Sequence, residues 1–340
     1  MVRILLLILV SMALTDHARA DVRDLIDEQV LKALAAETSG EAAKRNLDTI
    51  TLQHRMRSGT QFDAATQHIH DVLQDYGLDE VSLLTYAADG ETLYGTQKSR
   101  PVWDVRCAQL WEDREAEDGL ERVRKLADWD SVPLSLAQDS LSGEATATLV
   151  DIGAGTADAD YAGKDVRGKL VLTSSQPEAV VDRAVGELGA AGIISYAPNQ
   201  RSAWWKEDDR LVRWGHIGSF PTTESFAFMI SLGEARKLQA RLAAGESILF
   251  HAKVDASHEK GQYRFVTARI EGASKPDEEI HFTCHLDHPR PGANDNASGC
   301  MAILETARTL QALIDAGALP RPERSIRWLW PAEIEGSIMY

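Results

Sequence analysis

The stretch that most constrains the fold is the closing third of the chain, where an apolar strand, a polar loop, an amphipathic helix and a second apolar strand follow one another. The strand "IHFTC" leads into "HLDHPRPGANDNAS". A helix is predicted from Gly299 to about Leu313, with Cys300, Ile303, Leu304, Ala307 and Ile314 on one face. After the Gly- and Pro-rich loop "AGALPRPERS" comes "IRWLW", a near-continuous apolar run of the kind that is buried on both faces of a sheet. This is α/β texture, and in open α/β sheets the loops beyond the carboxyl ends of the strands hold the ligands.

Earlier segments extend the reading. "QFDAATQHIHDVLQDYGL" predicts a helix that buries Phe62, Ala65, Ile69, Val72 and Leu73 and stops at Gly77, and "EVSLLTYA" predicts a strand ending at Asp89-Gly90. From about Asp130 the chain turns to short β-rich pieces, "ATATLVDIG", "KLVLTSS" and "IISYA", with helices predicted in "PEAVVDRAVGELGAAG" and around Ala235, Leu238 and Leu242. The α/β texture resumes at "YRFVTARIEG", followed by a loop at "ASKPDEE". The expected organisation is therefore a signal peptide over 1–20, the first part of an α/β domain over 21–129, a β-rich insert over 130–255 and the rest of the α/β domain over 256–340.

The signal peptide is read from Arg3, the apolar run "ILLLILVSMAL" and the "ARA" site, which predicts cleavage after Ala20 and a secreted or periplasmic protein with no membrane segment afterwards. A formal charge of -16 without a basic cluster excludes a nucleic-acid partner. Cys107, Cys284 and Cys300 are too few for a disulfide scaffold; a bridge between Cys284 and Cys300 across one loop is one possibility, and buried free thiols are the expectation. Oligomeric state is not legible.

The chemistry concentrates where the first strand ends. His285 stands at the end of "IHFTC", and ten residues later Asp295 precedes a helix within a run of small, turn-forming residues. An imidazole and a carboxylate presented from a strand end and the next loop suit zinc. Asp287, two residues on in extended chain, projects to the same side as His285 and is placed to orient it. If the strands are neighbours, "WLWPAEIEG" brings Glu333 and Glu335 to the same edge, where a carboxylate takes a proton from activated water. Each residue alone has an ordinary structural reading; together they point to a metal site.

These residues resemble the co-catalytic zinc exopeptidases, metallopeptidase family 28. "HLDHPRPGANDNASGCMAILETARTL" and "RSIRWLWPAEIEGS" are similar to that family's His-x-Asp, Gly-Ala-x-Asp-Asn-x-Ser-Gly helix and Glu-rich strand end, in the same order. "DYAGKDVRGKLVL" and "ELGAAGIISY" resemble the protease-associated domain that interrupts such enzymes.

The resemblance implies a three-layer zinc-exopeptidase sheet, incomplete here, with a protease-associated insert; one or two zinc ions; a peptide substrate; and aminopeptidase activity. A carboxypeptidase or cyclase on the same scaffold, and a non-catalytic binding ectodomain, are its alternatives. It makes His285 a zinc ligand, Asp295 the carboxylate that bridges two zincs, Asp287 the support of His285 and Glu333 the general base. The chain departs from the common pattern at Ile334, where the family has a metal-binding Glu, and at His288; "HLDHP" with "WPAEIEGS" is closer to a divergent branch with a His-Pro pair and a Pro-Glu-x-x-Gly-Ser variant, and His288 and Glu335 are each open as the missing ligand, as a support of one or as a solvent-facing residue. A later Asp and a late His that the family uses are not found before Tyr340, so a piece of a longer enzyme, inactive by itself, is expected.

Overall fold

The computed structural model describes residues 26–117, 119–197 and 207–340; the expected signal peptide lies outside them. The strands in chain order are β1 (Glu80–Ala88), β2 (Leu93–Tyr94), β3 (Gln97–Lys98), β4 (Val102–Ala116), β5 (Gly119–Asp128), β6 (Gly143–Asp151), β7 (Leu170–Thr173), β8 (Gly192–Ser195), β9 (Ala227–Met229), β10 (Leu249–Glu259), β11 (Gly261–Ile270), β12 (Lys275–Thr283) and β13 (Arg324–Trp330). The α-helices are α1 (Glu28–Glu37), α2 (Gly40–Ile50), α3 (Thr60–Asp75), α4 (Asp158–Tyr161), α5 (Leu232–Ala243), α6 (Ser298–Asp315) and α7 (Glu335–Met339).

Two sheets define two lobes. The first has the order β1-β11-β13-β12, with β11 antiparallel to both neighbours and β12 parallel to β13. Helices α3 and α6 cover it. The α3 face of Phe62, Ala65, Ile69 and Leu73 is buried as the spacing predicts, and Gly77 follows the helix at φ +74°, a left-handed turn that favours glycine. Trp328 and Trp330 of β13 are fully buried in the same core. Burying rings of this size contributes about 4 kcal/mol each at roughly 25 cal/mol per Å², so β13 anchors the lobe.

The second sheet runs β5-β4-β10-β6-β7-β8-β9, antiparallel from β5 to β6 and parallel from β6 to β9. Strands β4 and β5 belong to it, so the β-rich lobe begins near Val102 rather than at Asp130. Their length and mixed polarity hide this in the sequence; only the β4–β10 register assigns them. The lobes interlock around residues 54–60. Met56 packs in the β-rich core, and the Asp104 carboxylate of β4 accepts from the Thr60 N–H at 3.0 Å, capping α3 from the other lobe.

Two local expectations differ. Residues 177–191 form a 3₁₀ turn and a short π-helical segment, not a regular helix. Lys275–Glu279, expected as loop, starts β12 because it pairs alongside Arg324 and Ser325. Strand β13 lies between β11 and β12, as its apolar run predicts, and at the β12 edge the exposed apolar side chains are Ile280 and Phe282.

Candidate active site

Parallel pairing of β12 with β13 sets Phe282 against Trp328 and Thr283 against Leu329, so both strands end at the same edge. Beyond the pairing, Leu286 N–H donates to the Pro331 carbonyl at 2.8 Å, extending the alignment into the two loops. This puts "HLDH" beside "PAEIE", the neighbour relation that the sequence reading required.

Helix α6 sends its first turn back under the loop. Cys284, one residue past β12, is disulfide-bonded to Cys300 with Cα atoms 5.3 Å apart, which corrects the expectation of free thiols; Cys107 is the free one. The strand end and the helix start are brought together by the fold, and the two sulfurs close the loop that carries His285, Asp287, His288 and Asp295.

Within that loop, Asp295 lies at the centre. Its Oδ1 is 3.1 Å from His285 Nε2 and its Oδ2 is 3.3 Å from His288 Nε2. Asp287 is buried and faces the other side of His285: its carbonyl oxygen is 3.1 Å from Nδ1 and its Oδ1 is 3.7 Å away. That carboxylate, with the carbonyl beside it, raises His285 to about 9 against the opposing effect of burial. The same Oδ1 accepts the Glu333 N–H at 2.6 Å.

A cavity of about 330 Å³ opens over these groups, lined by His285, Asp287, His288, Asp295 and Glu333 with Arg57. Its apolar wall is Met56, Leu134, Trp214 and Pro289, of which Leu134 and Trp214 come from the β-rich lobe. The predicted site residues therefore meet at one opening, except Glu335. Glu335 is buried away from the cavity lining, with Oε1 2.9 Å from both Arg57 and Arg100, so its negative charge is already matched by two guanidinium groups.

Residues that the sequence reading missed hold the loop in place. Arg55 is fully buried and spends its donors on backbone carbonyls: Nε on Leu286, Nη1 on Ile50, Gln53 and Pro291, and Nη2 on Gly292. Its own carbonyl accepts the His288 N–H at 2.9 Å. Buried charge is costly unless fully hydrogen-bonded, and here one guanidinium satisfies carbonyls that would otherwise be orphaned in an irregular loop. Beside it, burial first, and then the charges of Arg290, Arg55 and His288, push His54 down to about 3, and its Nδ1 accepts the Arg290 N–H. The signal for these residues was only "QHRMR" between two helices, basic and apolar in alternation within an acidic chain.

Gly292 sits at φ +49°, and a Cβ there would lie 2.6 Å from His288 Nδ1. The loop passes so close to that ring that only glycine fits.

Against this geometry, residues 266–335 match the sequence model described as peptidase family M28. The chain carries a segment similar to the M28 peptidases. That segment spans β11 to Glu335 and so includes His285, Asp287, His288, Asp295 and Glu333. No curated protein matches the chain by sequence.

Among solved structures, the chain is similar to an aminopeptidase from Aneurinibacillus sp. strain AM-1, with 22% identity and a TM-score of 0.50 over 89% of this chain and 65% of that one. It is similar to a peptidase M28 precursor from Shewanella amazonensis SB2B, with 18% identity and a TM-score of 0.61 over 92% of this chain and 70% of that one. A zinc aminopeptidase from Bacillus subtilis matches at 17% identity and a TM-score of 0.57 over 86% of this chain and 61% of that one. These likenesses establish the α/β fold class of M28 aminopeptidases, and the chain spans roughly two thirds of their length.

The donor types in this loop, two imidazoles and a carboxylate, suit zinc. Among the described residues no three His, Cys, Asp or Glu side chains are arranged as a ready metal-holding group.

Proposed function

We propose that this chain belongs to a secreted, zinc-dependent exopeptidase that removes N-terminal residues from peptides. The observation that carries the reading is the contact of His285 and His288 Nε2 with the two oxygens of Asp295, inside the M28 segment and under the same cavity as Glu333. His285 and Asp295 would hold zinc, with His288 as a third donor. Bound there, zinc would supply Lewis-acid polarisation of the scissile carbonyl and lower the pKa of water. Glu333 would accept the proton of the attacking water and deliver it to the leaving amine. Asp287 would fix the imidazole of His285, and Met56, Leu134 and Trp214 would keep bulk water from the cavity.

The β-rich lobe is read as a protease-associated insert that contributes Leu134 and Trp214 to the cavity wall. Export rests on the N-terminal signal; among the described residues no helix is long and apolar enough to cross a membrane. A binding ectodomain without catalysis is the second reading, favoured by the engagement of Glu335 with Arg57 and Arg100 rather than with the cavity.

The test is zinc per chain by mass spectrometry together with hydrolysis of aminoacyl-nitroanilides by the wild type and by Glu333→Gln. Stoichiometric zinc with activity that Glu333→Gln abolishes supports the enzyme. Zinc-free protein, or full activity in the variant, overturns it.

A further inference from the structure

Arg57 lines the cavity and also reaches carboxylates on both sides of Glu333 in the chain fold. Its Nη1 donates to Glu335 Oε1 at 2.9 Å, and its Nε is 3.8 Å from Asp287 Oδ2. Asp287 in turn accepts the Glu333 N–H through its other oxygen, at 2.6 Å. Glu333 is thus bracketed: its own amide is held by Asp287, and two residues later Glu335 is held by the guanidinium that faces Asp287.

The link between the two is Ile334, a β-branched residue at φ +60° and ψ -67°, a conformation that such a residue adopts only when its surroundings impose it. Ile334 is largely exposed, so its own side chain does not hold that turn. The turn is closed by the Glu335 N–H, which donates to the Glu333 carbonyl at 2.6 Å, and it is flanked by Asp287 on one side and by Glu335, paired with Arg57 and Arg100, on the other.

On the reading of Glu333 as general base, we propose that Arg57 is a positioning residue: it holds Glu335 by a hydrogen bond and attracts Asp287 by charge, and thereby sets where the Glu333 carboxylate stands over the cavity. A planar guanidinium suits this because its Nη1 donates to Glu335 while its delocalised charge faces Asp287, with Nε 3.8 Å from Oδ2, whereas an ammonium is a point charge. Arg100 makes the informative contrast. It also pairs with Glu335, at 2.9 Å, but has no contact with Asp287 and does not line the catalytic cavity.

The experiment compares the full chain with its Arg57→Gln, Arg57→Lys and Arg100→Gln variants. Hydrogen exchange at the Glu333 amide, zinc affinity against a competing chelator, and kcat and KM on an aminoacyl-nitroanilide are read for each. The proposal expects Arg57→Gln to accelerate exchange at Glu333 beyond any change in the rest of the chain. It also expects kcat to fall roughly tenfold with KM little changed, and Arg57→Lys to recover part of both. Arg100→Gln is expected to leave the Glu333 amide and kcat as in the wild type.

Equal behaviour of Arg57→Gln and Arg100→Gln in exchange and kcat overturns the proposal, as does a loss confined to KM. If Arg57→Gln does not fold, Arg57→Lys decides, and unchanged exchange at Glu333 in that variant overturns the proposal. If the wild type neither binds zinc nor hydrolyses the substrate, the exopeptidase reading fails by itself, and exchange at Glu333 still decides whether Arg57 positions it.

Discussion

The carboxylate of Asp287 accepts the main-chain N–H of Glu333 at 2.6 Å, joining the loop after β12 to the loop after β13. Through that bond, one buried side chain faces His285 on one strand end and fixes Glu333 on the next. Asp287→Asn keeps the shape and an oxygen acceptor but removes the charge beside His285. Zinc affinity, measured by chelator competition, is expected to fall roughly 10- to 100-fold, the usual cost of losing an outer partner of a ligating histidine. Unchanged affinity would show that Asp287 does not support the metal.

Arg55→Met is expected to destabilise the chain by about 3–5 kcal/mol, because it strips the buried carbonyl of Leu286 and the half-buried carbonyls of Pro291 and Gly292 of their donor. The drop in urea midpoint reads this directly. Arg55→Lys should recover only a fraction, since an ammonium cannot span carbonyls spread over the whole fork. A loss under about 1 kcal/mol, the size of an ordinary hydrogen bond, would contradict the stapling role.

The Cys284–Cys300 bridge closes a loop of 16 residues. Loss of both cysteines by replacement with alanine is expected to cost about 3 kcal/mol through the freed entropy of the unfolded chain. Because the loop carries His285 and Asp295, zinc affinity should fall in the same variant. Thermal denaturation with and without reductant checks the first, and chelator competition checks the second. Identical melting of the oxidised and reduced wild type would refute the stabilising role.

Two histidines give the zinc-free chain a pH window. His54 is held down to about 3, so below 6.5 the unfolded chain binds a proton that the folded chain refuses; its contribution is present above pH 6.5 and is lost as pH falls toward 3. His285 is raised to about 9, so its contribution is complete below 6.5 and is lost as pH rises through 9. Stability measured by urea denaturation from pH 4 to pH 10 should therefore decline at both ends, with His54→Gln flattening the acid arm and His285→Gln the alkaline arm. Arms unaffected by these substitutions would assign the titrations elsewhere.

Much of the site was legible because its chemistry is local. The alternation of apolar strand, loop and helix determined the α/β class, the covered face of α3 followed from helical spacing, and His285, Asp287, His288 and Asp295 lie within eleven residues of one another, so chain connectivity alone keeps them together. What the tertiary structure decided involves contacts between distant segments. The β12–β13 pairing brought Glu333 to Asp287, the β4–β10 register moved the lobe boundary to Val102, and the approach of Arg57 and Arg100 turned Glu335 from a candidate ligand into a paired anion. Arg55 shows the physical reason most plainly: Leu286 and Gly292 stand 231 and 237 residues away from it, and no local pattern records that a loop's unpaired carbonyls will find their donor at that distance.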